Sequence, residues 1–251
     1  MKRKLFLLVT AMFLLGSLLS AAEPTVKKPF NGTNLNGWKF NGGWENCWKN
    51  GGLKASATTF ELVPLRGQWD IPCLLNMVDV DWIKEPRKGV DIYTEEKFGD
   101  CTVKLEFLIT KGSNSGVYLM GEYEVQIQDS FAKPVKPIPD QENRVSTSLS
   151  QGDMGAIYSA AAPSVNASGV PGTWQTYEIE FVAPKFNAAG EKIANAVFKK
   201  VLLNGVLVQE NVEVKGPTGG GVTGQEAPTG PLMFQGNHGP VAFRNIEVIV
   251  P

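Results

Sequence analysis

The sequence has one histidine, His238, and three cysteines, Cys47, Cys73 and Cys101, in 251 residues. Cysteines this few and this far apart build neither a disulfide framework nor a zinc site, whose ligands come in close pairs. They read as three buried small residues, with one disulfide plus a spare thiol as the other arrangement open to an oxidising compartment. A lone histidine forms no metal set with carboxylates at any recognised spacing, so no metal site is expected. Also missing are a glycine-rich phosphate loop, a nucleophile elbow and a Cys-His pairing, which removes phosphoryl transfer and serine or cysteine acyl chemistry. No basic patch or basic amphipathic helix is present, so neither nucleic acid nor an anionic membrane surface is an expected partner.

Long apolar runs are also scarce. The one that exists opens the chain: Lys2, Arg3 and Lys4 precede an apolar stretch from Leu5 to about Leu19, then small Ser20 and Ala22. This pattern predicts a secretory signal peptide over 1–22 and a periplasmic or extracellular protein. The absence of a Cys after the small residues argues against a lipid anchor. Residues 23–251 remain, a length one large all-β domain accommodates. Loss of three basic residues takes 24 to 21 against 25 acidic ones, a charge of −4 in place of −1. A small neutral or weakly charged ligand fits that balance.

Helical spacing of apolar residues never persists for three turns, whereas strict alternation recurs. "CTVKLEFLIT" sets Val103, Leu105, Phe107 and Ile109 against Thr102, Lys104 and Glu106. "WQTYEIEFVAP" sets Tyr177, Ile179 and Phe181 against Thr176, Glu178 and Glu180, and Pro184 ends it. Asn204-Gly205 between two runs of β-formers predicts a tight hairpin. The closing "VAFRNIEVIV" reads as a strand with Val241, Phe243 and Ile246 inward. "AKPVKPIPDQENRVSTSLSQGDMG" and "KGPTGGGVTGQEAPTG" lack strand character and are expected as long rim loops beside a ligand groove. Many antiparallel strands without a repeat predict a jelly-roll sandwich of two sheets.

"NSGVYLMGEYEVQIQDS", residues 114–130, carries the densest polar alternation. A two-residue turn at Gly121-Glu122 would pair Met120 with Tyr123 and put Tyr123, Val125 and Ile127 in the core. Glu124, Gln126 and Gln128 then form an open row, with Asp129 at the strand end. A carboxylate between amides can take a proton and orient sugar hydroxyls, because Glu accepts while Gln donates and accepts. A solvated face is the plain alternative. Six tryptophans, Trp38, Trp44, Trp48, Trp69, Trp82 and Trp174, gather toward the N-terminal half, where rings pack on core or on sugar C–H groups.

Seven motifs in order, "FNGTNLNGWKF", "EKFGDCTVKLEF", "GSNSGVYLMGEYEVQIQDS", "GAIYSAAAPSVNA", "PGTWQTYEIEFVAPKF", "LLNGVLVQENVEVKGPTG" and "PLMFQGNHGPVAFRNI", resemble the 3-keto-disaccharide hydrolase domain family over about Phe30 to Val250. The resemblance implies a concanavalin A-like jelly roll that acts on sugars oxidised at carbon 3. There the ketone acidifies the carbon 2 proton, and the enolate expels the carbon 1 substituent. On this reading Glu124 is the base and Glu106 the second carboxylate, while Asn114, Ser115, Gln126 and Asp129 hold hydroxyls or the enolate. Tyr158, His238 and Arg244 line the far side, with His238 as acid. No cofactor is expected, and a divalent metal is left open. A non-catalytic carbohydrate-binding module and an ordinary glycosidase of the same fold are the rival readings.

Overall fold

The computed structural model describes residues 23–42, 46–67, 70–78, 89–131, 133, 135–137, 145–147 and 149–251. The expected signal peptide at 1–22 lies outside the described residues, as do Trp44, Trp69 and Trp82. Among the described residues there are eighteen strands, numbered in chain order, and no helix. Every strand pairing is antiparallel, which gives the expected all-β, concanavalin A-like jelly-roll sandwich.

One layer has five strands in the order β2 (Trp38–Asn41), β6 (Asp91–Phe98), β17 (Gly230–Phe234), β8 (Asn114–Leu119) and β9 (Tyr123–Gln128). The other has nine. Its path runs β16 (Val206–Val214), β15 (Ala196–Leu203), β12 (Gln175–Val182), β7 (Cys101–Ile109), β18 (Val241–Val250), β5 (Cys73–Asn76), β3 (Trp48–Ala55) and β4 (Phe60–Val63). β1 (Thr25–Lys27) adds to β18. Two small hairpins, β10 (Val135–Pro137) with β11 (Val145–Thr147) and β13 (Lys185–Phe186) with β14 (Lys192–Ala194), stand apart from both layers. The first of these lies inside the proline-bearing segment expected to be free of strands.

Alternation in sequence becomes two faces in space. Val103, Leu105, Phe107 and Ile109 of β7 and Tyr177, Ile179 and Phe181 of β12 are buried between the layers. From the five-stranded layer they meet Val117, Leu119, Tyr123, Val125, Ile127 and Phe234. A run of rings crosses the interface: Trp38 on Phe234 (5.7 Å), Phe234 on Phe243 (4.0 Å) and Phe243 on Trp48 (6.3 Å). Offset stacking of this kind adds about 0.5–1.5 kcal/mol per pair beyond area burial. Tyr177 ties the layers further by donating its hydroxyl to the Gln126 carbonyl (2.6 Å).

Asn204 and Gly205 join β15 to β16 with both residues at positive φ (52° and 77°), the left-handed pair a two-residue hairpin requires. β18 bulges between Arg244 and Glu247, with Asn245 at φ 52°, and so keeps Phe243 and Ile246 both inward. The three cysteines are free thiols, two of them buried. One register differs from expectation: Leu119, not Met120, pairs with Tyr123, because the loop holds three residues, Met120 to Glu122. Met120 and Gly121 both take positive φ there. The shift leaves β9 facing as expected, since Tyr123, Val125 and Ile127 still pack in the core.

Candidate active site

The outer face of the five-stranded layer carries a cavity of about 450 Å³, within the range of small-ligand sites. Its floor comes from alternate positions of neighbouring strands. β8 gives Asn114 and Tyr118, β9 gives Glu124 and Gln126, β6 gives Asp91, and Gln235 follows β17. Tyr158, Gly219, Gly220, Asn237 and His238 form the rim. Among these lining residues there is no lysine or arginine.

Four side-chain oxygens on this wall are buried without a hydrogen-bond partner: Asn114 Oδ1, Glu124 Oε1, Gln126 Oε1 and Gln235 Oε1. Burying a polar atom unpaired costs about 1–3 kcal/mol, so four around one cavity form a set of acceptors open to a polar ligand or to water. One carboxyl and three amides suit hydroxyl groups, which both donate and accept.

Glu124 is the most constrained of these residues. Its backbone N–H donates to Thr218 Oγ1 (2.9 Å), and its carbonyl accepts from Tyr158 N–H (3.1 Å). Across the ladder its partner is Tyr118, whose hydroxyl donates to the Glu124 carboxylate and in turn accepts from Gln235 Nε2 (3.3 Å). Gly116 lies beside it on the same face. A Cβ at 116 would sit 2.1 Å from Glu124 Oε1, so only glycine leaves the carboxyl its place. Burial pushes the Glu124 carboxyl up to about 8, with Asp91 adding to the effect and the Tyr118 bond opposing it. Burial, followed by Glu124, drives the Tyr118 phenol far above its ordinary value.

Asp91 is the second carboxylate of the cavity. It begins β6 with Ile92 turned into the core, and its Oδ1 accepts from Gly236 N–H (2.8 Å). Burial raises it to about 6 against the pull of that bond. The Gly236–Pro240 turn is pinned from several sides. Asn76 Nδ2 donates to the carbonyls of Gly236 (2.8 Å) and Gly239 (2.9 Å), Ser113 Oγ to that of Pro240 (2.7 Å), and Asn114 N–H to that of His238 (3.3 Å). Gly236 is required there, because a Cβ would fall 2.0 Å from the Val90 carbonyl. His238 Nδ1 is bonded to Asn237 Oδ1.

The glycine-rich loop expected at the rim is there. Buried Glu122 holds it, accepting from Thr223 N–H (2.8 Å), Thr223 Oγ1 (2.7 Å) and Gly224 N–H (2.9 Å). A smaller cavity of about 320 Å³ lies on the other side of this loop, with Tyr93, Met120, Val222 and Pro231 among its walls. None of the unpartnered oxygens faces it.

Of the residues the sequence nominated, Glu124, Gln126, Asn114, Tyr158 and His238 meet at the cavity; four do not. Glu106 lies on β7 of the nine-stranded layer and faces away from it, held by Arg244 Nε (2.7 Å) and Asn245 Nδ2 (2.6 Å). Arg244 is bound there too, with its guanidinium 3.9 Å over the Trp174 ring. Ser115 is buried one position out of phase with Asn114 and donates to the Gln235 carbonyl (2.8 Å). Asp129 closes a turn by accepting from Gly112 N–H (2.8 Å). Asp91, Tyr118, Gln235 and Gly116 were not nominated. Trp38 and Trp48 are core residues, and none of the described tryptophans lines the cavity.

The floor of the cavity thus carries two carboxyl groups, three amides and a phenol, a set of donors and acceptors that suits a polyhydroxylated ligand. Residues 25–249 match the model of the 3-keto-alpha-glucoside-1,2-lyase-like domain, and the chain belongs to this family. Among solved structures, one titled "putative glycosyl hydrolase" from Parabacteroides distasonis is 25% identical with a TM-score of 0.54, covering 91% of this chain and 92% of that one. A second structure with that title from the same organism is 18% identical, TM-score 0.54, with 90% and 94% covered. No curated protein matches the chain.

Proposed function

We propose that the protein cleaves glycosides whose sugar is oxidised at carbon 3, by taking the proton from carbon 2 and expelling the group on carbon 1. The observation that carries this reading is the set of four unpartnered oxygens around a cavity that also holds two carboxyl groups. The amides of Asn114, Gln126 and Gln235 suit sugar hydroxyls, and a cavity without lysine or arginine suits a neutral ligand. Membership of the 3-keto-alpha-glucoside-1,2-lyase-like family supports the oxidised sugar. The name given to the Parabacteroides relatives supports action on a glycosidic bond.

The chemistry suits carboxyl groups. A ketone at carbon 3 stabilises the carbanion at carbon 2 as an enolate, bringing proton removal within reach of a well-placed carboxylate. As the ketone re-forms, the C1–C2 double bond forms and the C1–O bond breaks, and the departing oxygen takes a proton. No oxocarbenium-like state is needed, unlike in ordinary glycosidases. His238 and Tyr158 stand at the mouth of the cavity, where the departing group would pass. The apolar run at 5–19 supports action outside the cytoplasm, where glycosides are met.

The test is incubation of the purified protein with a 3-keto-glucoside and with the unoxidised glucoside, with and without chelator, following aglycone release. Release from the keto form alone is the expected result. Release from both would indicate an ordinary glycosidase. Binding of plain glycan without release would indicate a binding module. Loss of release on chelation would add a divalent metal to the scheme.

A further inference from the structure

Glu124 and Asp91 share one cavity, yet their surroundings differ in kind. One Glu124 oxygen is buried with no hydrogen-bond partner, and Tyr118 is the one side chain bonded to the carboxyl. An ionised carboxylate needs its lone pairs met, whereas a neutral acid keeps a proton to give. Asp91 accepts a backbone N–H from Gly236, an arrangement that favours the ionised form. The groups facing Glu124 are Asp91 from β6, Tyr118 from β8, and Tyr158 and His238 at the rim; no lysine or arginine lines the cavity.

We infer that the two carboxyl groups divide the proton traffic, with Asp91 the base that takes the carbon 2 proton and Glu124 the acid that protonates the departing oxygen. This reverses the role the strand pattern suggested for Glu124 and gives a catalytic role to a residue that pattern passed over. It rests on the elimination reading above. The pair's titration agrees: at neutral pH Asp91, at about 6, is mostly ionised, while Glu124, at about 8, mostly keeps its proton. Environments that push two carboxyl groups apart in this way assign acid and base.

The step balances. Asp91 gains the carbon 2 proton, the C–H electrons pass through the enolate into the C1–C2 double bond, and the C1–O electrons leave with the oxygen that Glu124 protonates. Enone and free alcohol remain beside a neutral Asp91 and an ionised Glu124. Water can then run the reverse course. Glu124 takes its proton as the oxygen adds to carbon 1, and Asp91 returns a proton to carbon 2, which resets both groups and makes the net reaction a hydrolysis.

Two assays separate the roles. Exchange of the carbon 2 hydrogen with deuterium oxide is followed by NMR on 3-keto-1,5-anhydroglucitol, which has no departing group. Aglycone release is compared between 4-nitrophenyl and methyl 3-keto-glucosides. Asp91→Asn is expected to lower exchange by ~10²-fold or more and to slow release from both glucosides alike. Glu124→Gln is expected to keep exchange within ~10-fold of wild type and to slow methyl glucoside release by ~10²-fold, but 4-nitrophenyl release far less. Exchange lost in Glu124→Gln and kept in Asp91→Asn would overturn the assignment, as would equal sensitivity of both variants to the departing group. Melting curves confirm that each variant is folded, and Tyr118→Phe, which removes the one hydroxyl bonded to the Glu124 carboxyl, is expected to follow the Glu124→Gln pattern more weakly. Failure of the wild type in both assays would defeat the elimination reading itself, separately from the division of roles.

Discussion

Replacing Gly116 by alanine adds a single methyl group, and the structure states where it goes: 2.1 Å from Glu124 Oε1, 2.8 Å from its Cδ and 2.8 Å from its Cγ. Non-bonded carbon and oxygen do not approach so closely, so the carboxyl must move. Its backbone is fastened on both sides, through Thr218 and Tyr158, so the displacement falls on the side chain. Forcing a methyl into a packed site costs about 1–3 kcal/mol, and each kcal/mol lowers the melting temperature of a domain this size by about 2–4 °C. A reacting group displaced by about 1 Å loses ~10²-fold in rate. Gly116→Ala is thus expected to stay folded, melt a few degrees lower and lose ~10²-fold in turnover of a 3-keto-glucoside. Gly216→Ala, where a Cβ meets nothing within 4 Å, is the control for added bulk. Turnover in Gly116→Ala within ~3-fold of wild type would refute the view that the Glu124 carboxyl works from its observed place.

Burial raises the carboxyls of Glu124 and Asp91, so the folded state holds their protons more tightly than the unfolded one. Their contribution to stability is full below about pH 4 and is lost as pH rises through about 6 for Asp91 and 8 for Glu124. Glu124→Gln is therefore expected to match wild type near pH 5 and exceed it by roughly 3–5 kcal/mol at pH 9, as read by denaturant melts. On the opposite face, Glu106→Gln weakens the partly exposed pair with Arg244. It is expected to cost about 1 kcal/mol in the same melts and to leave aglycone release within ~3-fold of wild type.

The two layers and most of their inward residues were legible because alternation fixes which side chains share a face, and Asn204-Gly205 fixes a turn by its backbone freedom alone. The open row of β9 was legible for the same reason, even with the neighbouring turn misjudged by one residue, since burial of Tyr123, Val125 and Ile127 outweighs loop length in setting register. Alternation says that a residue points outward, but not from which of two sheets. Glu106 was on that account paired with Glu124, although a whole sandwich separates them. Asp91 has no local pattern to mark it. Its meaning comes from the Gly236 turn, which only the folded chain brings beside it. Gly116 carries no signal in a single sequence, since its role is space kept for the side chain opposite.

The Gly236–Pro240 turn has a consequence for how the protein comes to be active. Asp91 reaches across 145 residues to bind it, and Asn76 across 160 and 163. Contacts between such distant points form only after the intervening chain has been closed into loops, an entropic toll that places them late in folding. Asn76 also belongs to the nine-stranded layer, so the turn is set only once the two sheets have docked. In refolding, strand content and ring burial should therefore recover ahead of turnover, and a nascent chain would gain its chemistry only once the Gly236–Pro240 turn had been made.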